Sequence, residues 1–401
     1  MKLLSSLVIP LLAAVVSAGS SPRACSSLEI RKEWRSLSKP ERKAWIDAVN
    51  CLGKAPRSGK LKPSFNTSST GSIFDTIAPV SEQSSYHDDL VYAHMNLNPI
   101  IHFTGLFLPW HRQVTLGFRS LLVHRLMMAF SVSTYTNGPT LCESNADTKA
   151  LLHTGPGRKA SRLWDSRKYA CTKFCGTIDT KNFEKSSIWD KDPKYGLGGF
   201  GDPNDDYTVK TGGLDMTFAY PIPHKLRRRY SPYPFAGGPF PLPNVSAAST
   251  FTPEEVRKVL DTQSGNFTAF QYSMEKLLGM HGSVHVIVGG DLAGSCPKGS
   301  SNTSVCPVEG APTFSANEPM FHMHHGNIDR LWWLWQEKNQ LNKQAFRGGS
   351  VQNISNLDQF PNGQPPWLNK NSIIPAAGMY KEYSITDVMD TRKWPLCYVY
   401  A

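Results

Sequence analysis

The chain has 401 residues, of which 40% are hydrophobic, and a formal net charge of +11. This length supplies enough apolar material for one large domain or two ordinary ones. Lysine and arginine are scattered without a compact basic run, and no segment beyond the N-terminus approaches the roughly 20 apolar residues that span a bilayer, so we expect neither a nucleic-acid nor a membrane partner.

Residues 1–18 have the features of a secretory signal peptide. A basic Lys2 precedes an apolar run over residues 7–16, and the small Ala18 suits cleavage. Eight cysteines follow, which we expect to form disulfide bonds, with Cys296 and Cys306 as candidates for a local pair. We therefore predict a secreted, extracellular glycoprotein. The N-x-S/T sequons are at Asn66, Asn244, Asn266, Asn302 and Asn353.

The residue patterns of the N-terminal third predict helices. Ser38 and Pro40 predict the start of a helix whose apolar residues follow helical spacing. A second helix, beginning at Tyr86, is expected to stop just before Pro99, because the residue that precedes a proline disfavours helical backbone. Pro109 suits the first turn of a third helix, since a proline there loses no hydrogen bond.

The middle of the chain is predicted to be irregular. Glycine, proline and aromatic residues are frequent between residues 195 and 243, which is typical of loops wrapped over a core. Helices then return, and Ser315 with Glu318 forms a candidate capping box before the last of them. The predicted helices cover residues 253–260, 267–288 and 319–338. No repeat or linker divides residues 19–401, which we expect to form a single domain.

Three of the twelve histidines form a first group within VYAHMNLNPIIHFTGLFLPWHRQ. His94, His102 and His111 are eight and nine residues apart, with Pro99 and Pro109 between them. This spacing places them on a helix, a loop and a second helix, which allows the three imidazoles to converge. Three imidazoles are a ligand set for one copper or zinc ion.

A second group combines two segments that are far apart in the sequence. His281 and His285, in HGSVH, lie one helical turn apart, and His325 follows in FHMHHGNIDRLWWLWQ. The HxxxH pair lacks the glutamate of HExxH, so it does not indicate a zinc protease. A single histidine is more often a core or surface group than a ligand. Two triplets favour a metal centre, because each ends in a helix rich in aromatic residues with Arg112 or with Asp329 and Arg330 adjacent.

Three segments resemble the copper-binding motifs of type-3 copper proteins, the family of tyrosinases, catechol oxidases (polyphenol oxidases) and molluscan-type hemocyanins. They are HFTGLFLPWHR, HGSVH and PMFHMHHGNIDRLWWLWQ. CSSLEIRKEWRSLSKPERKAWIDAVNCL and the closing CYVY are similar to short, secreted ascomycete polyphenol oxidases. The resemblance implies a mainly α fold, in which a helical bundle core holds a dinuclear copper site and long irregular loops surround it. In the family a tyrosine pair, here Tyr398 and Tyr400, ends the catalytic core, so no C-terminal latency domain is expected.

The resemblance implies two copper ions as cofactors, each held by three histidines. Of the adjacent histidines, the family uses the one four residues before Asp329, so His324 would be a neighbour. Phe107 and Phe321 would pack on imidazole rings, and Asp329 with Arg330 would fix ring orientation. The implied ligands are His94, His102 and His111 for the first copper, and His281, His285 and His325 for the second.

Histidine ligands fit the chemistry of this family. Neutral imidazole suits both oxidation states of copper and leaves no thiolate for O2 to oxidise. In the family, the copper pair uses O2 to take two electrons from an ortho-diphenol (catechol), which gives an ortho-quinone. The implied partners are therefore phenolic small molecules and O2, with the protein positioning the substrate.

Two positions beside the second group bear on the choice of substrate. Relatives that hydroxylate monophenols strongly often carry asparagine directly after the first ligand of the second site, where it helps hold a water that deprotonates the phenol. Here that position is Gly282, and Val286 follows the next ligand, so Glu275 would lack its partner. We expect oxidation of ortho-diphenols with weak or no monophenol hydroxylation. The alternatives are a tyrosinase with real monophenolase activity and hemocyanin-like O2 binding without catalysis.

The sequence departs from the family at two places. Ile100 replaces the cysteine with which many relatives form a Cys–His thioether. Residues 122–180 do not resemble the family, and they are either a genuine insertion or a misread intron in the gene. Without Cys142, Cys171 and Cys175 in this segment, five cysteines remain. An odd number leaves one cysteine without a disulfide partner, which favours the misread intron. If the segment does not pack against the copper site, a non-functional product is a further alternative.

Overall fold

The computed structural model describes part of the chain, and the mainly α prediction is confirmed there. The described residues are 24–63, 81–132, 176–236, 241–300, 306 and 312–401. The predicted signal peptide at 1–18 lies outside them, as does most of the atypical segment 122–180 with its three cysteines.

The described structure combines α-helices with short strands that form two-stranded sheets. The helices are α1 (Lys39–Lys54), α2 (Tyr86–Ile101), α3 (Phe107–Val132), α4 (Pro253–Leu260), α5 (Phe267–Glu275), α6 (Met280–Val288), α7 (Met320–Glu337) and α8 (Gln340–Gln344). The strands are β1 (Glu29–Arg31), β2 (Thr217–Phe218), β3 (His224–Lys225), β4 (Gly349–Val351), β5 (Gln364–Trp367), β6 (Ile373–Ile374), β7 (Tyr383–Ser384) and β8 (Tyr398–Tyr400).

Capping residues define the starts of the first two helices. Ser38 accepts a hydrogen bond from the backbone of Glu41, whose carboxylate accepts from the backbone of Ser38, so α1 begins at the predicted place. Ser85 and Asp88 form the same reciprocal pair at the start of α2. These caps satisfy backbone donors that the first turn of a helix leaves without partners.

Three predictions about helix ends were wrong. Pro99 lies inside the last turn of α2, where it removes only one hydrogen bond while the buried Ile101 holds the turn in the core. The predicted helix 267–288 is divided into α5 and α6, because Gly279 takes an extended conformation and caps α6. Glu318 does not cap Ser315 but forms a buried ion pair with Arg228 at 2.7 Å.

Four helices, α2, α3, α6 and α7, bring their histidine-bearing faces into one core. α3 packs along α7, and α2 packs against a 3-10 helix at Pro312–Asn317. The side chain of Trp332 is fully buried, and the Arg112 guanidinium lies 3.6 Å from its ring centroid. This packing fixes the relative position of helices that are far apart in the sequence.

The two ends of the described chain meet. β1 and β8 pair in parallel, with Arg31 opposite Tyr400, and a disulfide joins Cys25 to Cys397. The predicted disulfide between Cys296 and Cys306 is confirmed. No helix in the described part of the chain is both long and apolar enough to cross a membrane.

Candidate metal centre

The first histidine group comes together as its spacing predicted. His94 lies on α2, His102 directly follows that helix, and His111 lies in the first turns of α3. One nitrogen from each ring lies within 4.8 Å of the other two. The ring centroids of His94 and His102 are 5.2 Å apart, and those of His102 and His111 are 5.1 Å apart. This geometry is compact enough for one metal ion to contact all three rings.

A backbone carbonyl orients His111. Its Nδ1 donates to the carbonyl oxygen of Phe107 at 2.8 Å, which leaves Nε2 as the acceptor nitrogen. That Nε2 is buried and has no hydrogen-bond partner among the described residues. A buried imidazole nitrogen without a partner is costly, and a metal ion would satisfy it.

The second histidine group forms around α6. His281 and His285 lie one turn apart, with ring centroids separated by 4.7 Å. The third histidine whose ligand atom lies within 4.8 Å of theirs is His324, not His325. The ring of His325 is 5.0 Å from that of His281 and is stacked on His111 at 4.0 Å.

The distances between ring nitrogens group His324, and not His325, with His281 and His285. Hydrogen bonding distinguishes the two adjacent histidines in the opposite direction. His324 Nε2 donates to the backbone carbonyl of His281 at 3.1 Å. Both ring nitrogens of His325 are buried and lack a partner within the described part of the chain. Missing partners alone do not identify a ligand, because both ring nitrogens of His87, which lies outside the two groups, are also buried without a partner in the described structure. The assignment of His325 as the third ligand therefore stays a prediction from the family motif.

The two groups face each other across a short gap. The stacked rings of His111 and His325 are inclined by only 10°. His102 and His281 are also stacked, with centroids 6.0 Å apart. Two metal ions held by these groups would be near neighbours, so one small molecule could contact both.

Two phenylalanines pack on the imidazole rings, as the family resemblance implied. Phe107 packs edge-on against His281 at 4.8 Å, and Phe321 packs against His94 at 4.9 Å and His325 at 4.3 Å. Their apolar rings limit the rotation of the imidazoles.

Burial keeps these histidines neutral. It lowers the pKa of His102, His111 and His281 well below the ordinary value, and the neighbouring histidines lower it further. The pKa of His285 falls to about 4 for the same first reason. Neutral imidazole is the form that binds a metal, so these histidines can bind a metal ion at neutral pH without first losing a proton.

Asp329 connects the metal-binding helix to both ends of the described chain. Its buried carboxylate accepts hydrogen bonds from Arg31 on β1, Arg112 on α3, and the hydroxyls of Tyr398 and Tyr400 on β8. Among the hydrogen bonds found in the described residues, none joins Asp329 to an imidazole. The carboxylate thus joins α7 to α3 and to the strands at both ends of the described chain, and the ring-orienting role that the family resemblance implied stays a prediction.

The two candidate specificity positions each follow a histidine of α6 and are partly exposed, and their effect on substrate choice stays a prediction. Gly282 is partly exposed, and a Cβ added there would meet only the Leu277 carbonyl, at 3.7 Å. Val286 is also partly exposed. The buried Glu275 accepts hydrogen bonds from Phe103 N–H at 2.6 Å and Gln271 Nε2 at 3.2 Å. Burial raises the pKa of Glu275 well above its ordinary value, against the effect of these two bonds.

Sequence analysis missed the residues that act on the histidines through the backbone. The Leu292 carbonyl accepts from His285 Nδ1 at 2.8 Å, and Gln352 Nε2 donates to the His102 carbonyl at 3.0 Å. The Gln352 contact joins segments that are 250 residues apart. A backbone carbonyl can belong to any residue type, so composition offered no signal for Leu292.

A helical core with two facing groups of buried, neutral histidines defines a dinuclear metal centre of the type-3 copper class. Residues 83–338, more than half of the chain, match the common central domain of tyrosinase. The chain belongs to the tyrosinase family of copper oxidoreductases, and its cofactor is a pair of copper ions.

Individual relatives are distant but cover most of the chain. The chain is 26% identical to the tyrosinase-like protein phomQ1' of Diaporthe leptostromiformis, over 94% of this chain and 81% of that protein. It is 27% identical to N-acetyl-6-hydroxytryptophan oxidase ivoB of Emericella nidulans, over 100% of both. A mutant polyphenol oxidase from Thermothelomyces thermophila has a similar fold, with a TM-score of 0.60 at 20% identity, over 95% of this chain and 91% of that one.

Proposed function

We propose that this chain oxidises ortho-diphenols to ortho-quinones with O2. Each diphenol gives up two electrons and two protons, so two diphenols reduce one O2 to two waters. The bound copper pair supplies the redox chemistry. The observation that carries the proposal is the stacking of His111 on His325, which sets two histidine groups close enough to serve one small substrate.

The proposed copper ligands are the six histidines that the family motifs imply. The support is the convergence of their rings, together with buried ring nitrogens that lack partners among the described residues, which include Nε2 of His111, His281 and His285 and both nitrogens of His325. Convergence carries the argument, because His87 outside the groups also has buried nitrogens without partners there. His94 completes the first group by distance. Hydrogen bonds to carbonyls fix His111 and His285, so their free nitrogens are held toward the centre.

Substrate is proposed to approach from the side where His102 and Gly282 are partly exposed. Most other members of the two groups are buried, so this is the more open face of the centre. Without a side chain, Gly282 leaves room for a phenolic ring beside His281. Val286 would then contact the ring or its substituent, which makes it a position where apolar contacts influence substrate choice.

Oxygen consumption tests the proposal. Copper-loaded protein is expected to consume O2 when catechol is added, and His285→Ala is expected to consume it only at the background rate because one ligand is lost. His87→Gln is a matched control, since His87 is buried but lies outside both groups. Protein that binds copper and O2 yet leaves catechol unchanged would support hemocyanin-like binding instead.

Gly282→Asn is expected to raise the rate on tyramine relative to dopamine by up to about 10²-fold, the lower end of the range for general-base assistance. A phenol has a pKa of about 10, so it arrives protonated and needs a proton acceptor. An asparagine could hold a water for that purpose, and the space beside Gly282 admits it without a clash. Initial rates on both substrates provide the measurement.

Gly282→Ala is the control for this prediction, because it fills the same space without a polar group. If the parent protein hydroxylates tyramine as fast as it oxidises dopamine, the assignment as a catechol oxidase is wrong and the chain is a tyrosinase. A 6-hydroxyindole belongs in the same comparison, since the Emericella relative is named as an oxidase of a hydroxylated tryptophan.

We also propose that residues 19–401 form one secreted domain. Two disulfides in the described structure favour an oxidising compartment. The sequon residues Asn244 and Asn266 are exposed, as glycosylation requires. Asn353 is less available, because its amide nitrogen donates to Gln364 at 2.9 Å.

A further inference from the structure

A loop that follows α6 determines how His285 is presented. His285 Nδ1 donates to the Leu292 carbonyl at 2.8 Å, so the position of this carbonyl sets both the tautomer and the orientation of the ring. We propose that Asp291, the neighbour of Leu292, is a positioning residue for the second copper, because its buried contacts fix the loop that carries this carbonyl. This inference rests on the proposed role of His285 as a ligand.

Asp291 is held by groups from a different part of the chain. Its carboxylate, which is fully buried, accepts from the backbone N–H of Arg227 at 2.8 Å and lies 3.5 Å from the Arg227 guanidinium. It also lies 2.9 Å from His224 Nε2. Burial acts to lower the pKa of His224, but Asp291 outweighs it, and the pKa is raised above the ordinary value. The contact between Asp291 and His224 is therefore attractive, and it favours the protonated form of the His224 ring.

The backbone of the loop is pressed against the same segment. Asp291 N–H donates to the Arg227 carbonyl at 3.0 Å. Gly290 has a φ of 53°, and a Cβ there would lie 2.2 Å from that carbonyl, so only glycine permits the approach. Contacts of the Asp291 side chain and of the loop backbone thus hold Gly290 and Asp291 against Arg227.

Arg227 extends the support beyond the loop. Its guanidinium donates to the carbonyls of Ser295 at 2.8 Å and Cys296 at 3.1 Å, and it pairs with the partly exposed Asp206 at 2.9 Å. The chain on both sides of Leu292 is therefore tied to one buried arginine. Loss of the Asp291 charge would leave that arginine with a weaker partner and allow the Leu292 carbonyl to shift.

Copper affinity tests the inference. Asp291→Asn keeps the shape of the side chain but removes its charge, and one of the two copper equivalents is expected to bind about 10–100-fold more weakly, as is typical when a group behind a ligand is changed. The measurement is competition for Cu(I) by a chelator on the full chain, with thermal unfolding of the copper-free protein recorded in parallel.

Asp206→Asn is the matched control, because it removes a carboxylate from the same arginine at a more exposed position. It is expected to leave both copper equivalents at parental affinity. If Asp291→Asn fails to fold, His224→Leu can be used instead, because it removes a single partner of Asp291. This variant is also expected to bind one of the two copper equivalents more weakly.

Two results would overturn the inference. One is unchanged affinity for both copper ions in Asp291→Asn or His224→Leu. The other is an equal loss at both copper ions together with a lower unfolding temperature, which is the behaviour of a residue that only stabilises the fold. Failure of the parent chain to bind copper would instead overturn the proposed function, so the two failures are distinguishable.

Discussion

Replacement of His325 by alanine is expected to reduce the copper content from about two ions per chain to about one and to abolish catechol oxidation. Both ring nitrogens of His325 are buried without a partner in the described structure, and the ring stacks on His111 at 4.0 Å. The variant therefore removes the imidazole that the family motif assigns to the second copper. Metal analysis and oxygen consumption on the purified variant give the two measurements.

His324→Ala provides the matched comparison, since the two histidines are adjacent on the same helix. His324 uses Nε2 to donate to the His281 carbonyl, so its loss is expected to leave both copper ions in place. A copper content of one in His324→Ala and two in His325→Ala would show the reverse assignment. That result would agree with the shorter separation of nitrogens in the group that contains His324.

Asp329→Asn is expected to lower the free energy of unfolding of the copper-free protein by about 3–5 kcal/mol. Asp329 is the shared anion for Arg31 and Arg112, and all three side chains are buried. Without its charge, the guanidinium groups of Arg31 and Arg112 lose the anion that they share in the core. Buried charges without compensation are much more costly than the loss of one hydrogen bond.

A surface carboxylate on the same helix is the control for this prediction. Glu337 pairs with Arg392 at 2.7 Å and Lys343 at 3.2 Å, but its side chain is 29% exposed. Glu337→Gln is expected to change the free energy of unfolding by less than about 1 kcal/mol. Denaturant unfolding of both variants measures the difference. Similar values for the two would mean that Asp329 has no special role in joining α7 to the chain ends.

Local signals in the sequence were sufficient where a structure depends on neighbouring residues. Ser38 and Glu41 are three residues apart, so the start of α1 could be predicted, and helix 253–260 was predicted at its observed bounds. The stop before Pro99 was wrong because burial of Ile101 outweighs the loss of one hydrogen bond. The capping role of Glu318 was wrong because Arg228, 90 residues away, binds the carboxylate instead.

The candidate site shows the same contrast between features that local sequence predicts and features that depend on distant residues. Side-chain types and their spacing were enough to bring His94, His102 and His111 into one group. The orientation of the rings could not be predicted, because it depends on carbonyls such as that of Leu292. The contacts of Asp329 were also beyond prediction, since they join segments separated by as many as 298 residues.

The disulfide between Cys25 and Cys397 encloses almost all of the described chain in a covalent ring. A protease that cuts one peptide bond within this ring divides the polypeptide but does not release either piece. The fragments stay joined at the pair of β1 and β8, where Arg31, Tyr398 and Tyr400 meet Asp329. One cut in a surface loop therefore leaves the histidine-bearing helices attached to each other, which protects the protein against losing half of its metal centre after a single cleavage.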